Sequence, residues 1–506
     1  MAIELSNLTF TEQDDVVPAS GVEEIFNTGI ANTLAGNDII TSTGGRYSFF
    51  NSGTLNTAGG NDIITGTTSF SPVSSPNFFA PNYYGIFNIG SIYTGDSNDI
   101  ITGINQDDES GFRHGGIYAG GSTIDTGDGN DIITGISNEG VGIDGAFGTI
   151  NTGDGNDTIA GTTTSLVSGT GIQLFGTCSI DTGKGNDIIT GTGFTGGLVA
   201  SSAAFLNTDE GDDIITGSSI TQGFGLLSNV PIDTGDGNDT ITGTSGNVDD
   251  GDGIRSVSLG ITNTSSINTG NGNDIITGIA SASDSQFASN GIYNQGGTID
   301  TGNGDAIITG AGTTSGILNQ GTINTGNNKD SLISHGQFAN FGRVFLGDGN
   351  DSIITDTDLP NNDISNYNGI RNYNAIETGD GNDIITSTGV IYNEGVINTG
   401  DGADSIIANE GFESAANSSG AWFLGNGDDY IKGYGSGDFY GGNGFDRLEL
   451  TPGTYTLKKW ADNTGESVVF TKGNSLMITS EFEKLIAGGT IYDFTSLTDD
   501  QTIFVT

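Results

Sequence analysis

The chain keeps returning to one phrase. Residues 126–135 read TGDGNDIITG, and near copies appear as TGDGNDTIAG, TGKGNDIITG, TGDGNDTITG and TGNGNDIITG. Self-similarity at intervals of a few tens of residues is the signature of a repeat architecture. Alignment on the last Asp brings into register Asp38, Asp62, Asp99, Asp131, Asp157, Asp187, Asp213, Asp239, Asp274, Asp330, Asp351, Asp383, Asp404, Asp429 and Asp446, with Ala306 in one further copy. Spacings run from 17 to 37 residues, and the variation is concentrated in one segment. Gly316 to Asp330 and Gly369 to Asp383 are both 14 residues, whereas Asp383 to Gly389 is 6 and Asp351 to Gly369 is 18.

Each repeat offers three short apolar pieces of the kind GIYN, GTIDT and DIITG. Ile and Thr favour strands, and the Gly, Asn and Asp between them favour tight turns. No piece is long enough for a helix, and no 3.6-residue period appears. A unit of this size cannot bury its own apolar face, but stacked copies can. The expected fold is all-β: a parallel β-solenoid, β-helix- or β-roll-like, one rung per repeat, with variable loops leaving one corner. Asn88, Asn294, Asn319, Asn372 and Asn393 hold matching places and are expected to stack as a structural ladder.

In TGDGNDIIT the glycines at places two and four permit positive φ and turn carbonyl groups toward one point. The Asp at six adds a charged oxygen, and the Ile at eight points inward. Oxygen-only ligands suit a hard cation, Ca²⁺ above all. Cysteine and histidine clusters are lacking, which argues against zinc. One turn holds too few oxygens for calcium, so the fifteen aligned aspartates are expected to bind several Ca²⁺ ions between adjacent rungs, stacked along one edge. The net charge of −49, from 62 acidic against 13 basic residues, points the same way. It favours cations as partners and opposes nucleic acid or anionic lipid.

The phrase resembles the glycine-rich nonapeptide G-G-x-G-x-D-x-U-x of the RTX (repeats-in-toxin, haemolysin-type) calcium-binding family, with Thr usually in place of the first Gly. The closest run is LGNGDDYIKGYGSGDFYGGNGFDRLEL, 424–450. Elsewhere there is one nonapeptide per repeat, so the array resembles a one-edged relative of the β-roll. The segment SEFEKLIAGGTIYDF (480–494) is similar to the β-rich piece that follows such repeats. The resemblance implies export by a type I ABC system through an uncleaved C-terminal signal. That agrees with an opening MAIELSNLTF that lacks an ordinary secretory signal.

The expected domains are an N-terminal cap (1–30), the calcium-binding array (31–447) and a β-rich C-terminal cap with a possible secretion signal (448–506). TYTLKKW and SVVFT are strand candidates in the last. No apolar run is long enough for a membrane-spanning helix. Neither H-E-x-x-H nor G-x-S-x-G occurs, and His114 and His335 are expected at the surface rather than in catalysis, so the chain is not expected to be an enzyme. The Asp at place three (Asp128, Asp154, Asp236, Asp348, Asp380, Asp401) is expected to face solvent. The Thr residues at places one and nine are candidates for outward ranks. Loop aromatics Phe70, Phe78, Phe79, Tyr83 and Tyr84 are candidate partner contacts. The expected function is a secreted calcium-binding structural protein of a bacterial cell surface or extracellular matrix. Its expected partners beyond calcium are further copies of itself or cell-surface polysaccharide. The alternatives are an adhesin or ice/glycan-binding solenoid, and a β-helix enzyme acting on polysaccharide.

Overall fold

The computed structural model describes residues 2–18, 24–68, 83–106, 114–220, 223–246, 258–281, 289–356, 369–415, 420–462 and 465–506. Phe70, Phe78 and Phe79 lie outside them. The chain divides into two compact units, Met1–Gly270 with Thr277–Phe287, and Asn271–Ile276 with Ala288–Thr506. The fold is an all-β parallel β-solenoid. Among the described residues the only helical turns are Leu5–Asn7 and Phe494–Ser496, and no helix is long and apolar enough to cross a membrane.

A repeat of the first unit consists of a motif strand such as Thr158–Thr163, a second strand such as Thr170–Phe175 and a short third strand such as Ser179–Asp181. Each stacks parallel and in register on its equivalents. Ile133 lies beside Ile159, Ile159 beside Ile189 and Ile189 beside Ile215. The second strands align Ile117, Ile143 and Ile172, and the third strands Ile124, Ile150 and Ile180. All of these side chains are buried. A rung thus supplies about one large apolar side chain per face. Each is worth roughly 1.5–3 kcal/mol when fully covered, and only neighbouring rungs cover it. Stacking begins near the N-terminus, where Ala2–Glu4 pairs with Glu24–Asn27.

The second unit repeats the plan. Where insertions vanish, motif and second strands fuse, as in Ile307–Asn319 and Ser331–Asn340, with a register shift between Ala311 and Ser315. Its C-terminal part changes direction: Gly453–Asp462 pairs antiparallel with Gly465–Lys472 and with Thr502–Val505. Lys484–Ala487 runs parallel to Arg447–Leu450 and antiparallel to Thr490–Asp493.

The asparagine ladder is present in both units. Asn51 Nδ2 donates to Asn88 Oδ1 at 2.8 Å, and Asn294, Asn319, Asn340, Asn372 and Asn393 form a continuous series at 2.8–2.9 Å. The same amides reach the third strands, as Asn340 Nδ2 does to Ala375 O at 2.9 Å. The ladder therefore ties two strand stacks together inside a dry corner.

Three expectations about individual side chains are corrected. Tyr83 and Tyr84 are buried strand residues rather than exposed loop aromatics. His114 is also a buried strand residue, with its ring stacked on Tyr83 at 5.2 Å. The Thr at place one, as at Thr126, Thr152 and Thr182, faces inward and is fully buried, although the turn that follows it lies at the surface. His335 lies in a strand, half-exposed, 2.8 Å from Asp356.

Candidate metal column

The motif turn stacks as tightly as backbone allows. Gly127 and Gly153 have φ of +79° and +77°, and a Cβ on Gly153 would lie 2.2 Å from the Gly127 carbonyl oxygen. Place two therefore favours glycine for its conformation and for the approach of the turn before it, although Leu34, Ala58 and Asp209 hold the same place at φ of +72°, +66° and +57°. In consequence each rung repeats the geometry of the last, and whatever side chain follows the turn is laid into a column.

All fifteen aligned aspartates are buried, each at 0–1 % exposure. They form columns in the interior, not a row on the outer rim of the turn. Along each of two series Oδ1 accepts the backbone N–H of the aspartate one rung earlier. In the first unit the series runs from Asp38 through Asp62, Asp99, Asp131, Asp157, Asp187 and Asp213 to Asp239, at 2.7–2.9 Å. In the second it runs from Asp330 through Asp351, Asp383, Asp404 and Asp429 to Asp446, at 2.7–2.9 Å. Ala306 supplies no carboxylate, although its own amide donates to Asp330 Oδ1 at 2.8 Å.

The other carboxylate oxygen has no such partner. Oδ2 is buried and without a hydrogen bond in thirteen of the fifteen: Asp38, Asp62, Asp99, Asp131, Asp157, Asp187, Asp213, Asp330, Asp351, Asp383, Asp404, Asp429 and Asp446. The place-one threonine stands beside it. Thr234 Oγ1 donates to Asp239 Oδ2 at 2.6 Å, whereas Thr57 Oγ1 donates to Thr94 O at 3.2 Å and Thr94 Oγ1 to Thr126 O at 3.3 Å. The Thr126, Thr182 and Thr208 hydroxyls have no other partner, and they favour the charged form of Asp131, Asp187 and Asp213 against the larger effect of burial. Burial pushes these carboxyls up, to about 7 at Asp99, Asp131, Asp187, Asp330, Asp404 and Asp429. Asp351, whose place-one neighbour is Leu346, is pushed highest, to about 8.

A buried, unpaired carboxylate oxygen demands a proton or a cation. The donor set fits a hard cation: aspartate oxygen, threonine hydroxyl and main-chain carbonyls, with no soft ligand nearby. Among the described residues no group of three or more His, Cys, Asp or Glu side chains gathers as a metal cluster. Each level of the column supplies a single carboxylate, and an ion there would have to draw its remaining ligands from neutral oxygens.

Two ladders escape sequence reasoning. The exposed place-five residue reaches in the opposite sense: Asn98 Oδ1 accepts the Asn130 amide at 2.7 Å, and Asn130 Oδ1 the Asn156 amide at 2.7 Å. Inner side chains thus hold the preceding rung and outer ones the following rung. On the third strands Asp and Asn alternate, so that Asn151, Asn207, Asn268 and Asn324 donate to Asp125, Asp181, Asp233 and Asp300 at 2.9–3.2 Å. The alternation of TIDTG with TINTG carried that signal. It keeps like charges from stacking at the roughly 4.8 Å strand spacing. Asp128, Asp154 and Asp348 at place three are exposed, as expected.

No protein-family profile matches the chain, and no curated protein matches it in sequence. Among solved structures it is similar to a hyperactive, Ca²⁺-dependent, β-helical antifreeze protein from an Antarctic bacterium, with 15 % identity over 97 % of this chain and 96 % of that one and a TM-score of 0.30.

Proposed function

We propose that this chain is a secreted calcium-binding structural protein of a bacterial cell surface or matrix, exported unfolded and folded by calcium outside the cell. The observation that carries the reading is the pair of columns, one in each unit, that together hold thirteen buried Oδ2 atoms without partners. At neutral pH each must either hold a proton or stand ionised in a buried site, and a cation would resolve that cost at each such rung. Asp Oδ2 and the place-one threonine would hold the ion, which supplies neutralising charge rather than reactivity. In a low-calcium cytosol the chain, with its −49 charge, would lack this compensation. We assign it no catalytic role. The test is circular dichroism and thermal unfolding of the full chain in calcium and in chelator; strand content and melting temperature that do not respond would sink the reading.

A second reading is an adhesin or an ice- or glycan-binding solenoid. It draws on outward ranks at regular spacing, in which Ile132, Ile188, Ile214, Ile307 and Ile384 are 39–46 % exposed beside the place-three and place-five polar rows. Ice-recrystallisation and glycan-array assays on the calcium-loaded protein separate the two readings.

A further inference from the structure

We infer that Glu483 closes the carboxylate column and that Asp446, Glu483 and the Glu481 carbonyl form a terminal divalent-cation site, which clasps the C-terminal strands to the last repeat. This rests on the calcium reading and adds to it a site built from residues outside the repeat.

The register makes Glu483 the last member of the series. Arg447 pairs with Lys484, so Asp446 lies beside Glu483. Glu483 Oε2 accepts the Asp446 amide at 2.6 Å, as Asp446 Oδ1 accepts that of Asp429 at 2.9 Å. The backbone returns the bond, since the Glu483 and Lys484 amides donate to Asp446 O at 3.1 and 3.0 Å. Tyr440 pairs with Ser480. Five residues separate Tyr440 from Asp446, and only two separate Ser480 from Glu483. The shortened turn comes with a side chain one methylene longer.

The space around this pair is shaped for a ligand. Asp446 is fully buried and its Oδ2 has no partner. Gly441 occupies place one of this repeat, where most repeats have threonine. A Cβ on Gly441 would lie 2.1 Å from Glu481 O and 2.8 Å from Asp446 Oδ2. Glycine here lets the Glu481 carbonyl come in where a side chain would stand, so that this carbonyl and the unpartnered Asp446 Oδ2 lie on the same side of Gly441. Glu481 has φ of +65°, a left-handed conformation that residues with a side chain seldom adopt. Asp446 and Glu483 are successive carboxylates, as any two neighbours in the column are. Here, however, a carbonyl stands where most rungs have a threonine hydroxyl, and the longer glutamate side chain can turn its second oxygen to an ion. The site should therefore hold a hard divalent cation more tightly than the rungs do.

The test uses the full chain. Glu483→Gln keeps an oxygen for the Asp446 amide and removes the charge. Hydrogen exchange of the Lys484–Ala487 amides is followed during a calcium titration, with Asp128→Asn, at an exposed place-three carboxylate outside the column, as a control. In wild type these amides should become protected at the lowest calcium concentrations. In Glu483→Gln the protection should need at least tenfold more calcium, while Asp128→Asn leaves it unchanged. Equal titrations for Glu483→Gln and wild type would overturn the clasp while leaving the calcium reading intact. A wild type that binds no calcium would overturn that reading itself. Should Glu483→Gln fail to fold, anomalous diffraction from wild-type crystals soaked in Tb³⁺ decides. A peak between Asp446 and Glu483 supports the site, and peaks along the column without one there overturn it.

Discussion

The amide of Asp99 donates to Oδ1 of Asp131, 32 residues further on, at 2.7 Å. Both residues are fully buried, and Oδ2 of each lacks a partner. One side chain therefore performs two tasks, and substitutions separate them.

Asp131→Ala strands the Asp99 amide and should destabilise the chain by about 1–3 kcal/mol in calcium and in chelator alike. Asp131→Asn keeps the acceptor and removes only the charge. It should be neutral or stabilising in chelator and destabilising in calcium. Urea unfolding of both variants under both conditions checks this.

The buried aspartates also set a pH dependence. Burial raises their folded pKa values to about 6 at Asp62 and Asp157, about 7 at Asp99 and about 8 at Asp351, above the unfolded value near 4. Folding without metal therefore takes up protons. The corresponding stability is fully present below about pH 4 and is lost as pH rises through about 6 to 8. The melting temperature in chelator should fall steadily from pH 5 to pH 8, and the gain from calcium should grow over the same range. A melting temperature in chelator that rises with pH would contradict the unpaired column.

Glycines should sort by their surroundings. Gly153 has φ of +77° and the Gly127 carbonyl within 2.2 Å of a would-be Cβ, whereas Gly296 has φ of +84° and nothing within 4 Å. Gly296→Ala should cost about 1 kcal/mol for conformation alone. Gly153→Ala should cost several times that, because backbone must move. Thermal melts of the two variants provide the comparison.

The alternating third-strand ladder makes a charge prediction. Asn207→Asp would place three carboxylates in succession, at 181, 207 and 233, and remove the amide that donates to Asp181 at 3.1 Å. A loss of about 1–2 kcal/mol is expected at low salt, partly restored by 1 M NaCl. A loss unaffected by salt would mean that packing rather than repulsion sets the alternation.

Calcium-driven folding can be followed from one residue. Trp422 is fully buried and stacked on Phe439 at 4.3 Å, while Trp460 is 69 % exposed. In Trp460→Phe the remaining emission should shift to the blue as calcium is added to the chelated chain. An emission maximum that stays put would show that the Trp422 core does not wait for metal.

Much of this architecture is legible in the residues themselves. The repeat aligns fifteen aspartates and one alanine, the short Ile/Thr pieces mark three strands per rung, and matching asparagines foretell a ladder. Those follow from local propensity and from copies stacking on copies. The sequence could not say on which side of a tight turn a side chain lies, because a turn lacks the two-residue alternation that orients strand residues. The aspartate and the place-one threonine therefore proved interior, and the place-five asparagine exterior. Tyr83, Tyr84 and His114 likewise sit beside insertions and look like loop residues until neighbouring rungs bury them. Glu483 matches no repeat, and only the pairing of Arg447 with Lys484 brings it to the end of the column. Composition and period determine that rungs stack in register. Which oxygens are then left dry and unpaired is decided by contacts between rungs, made by residues far apart in the chain.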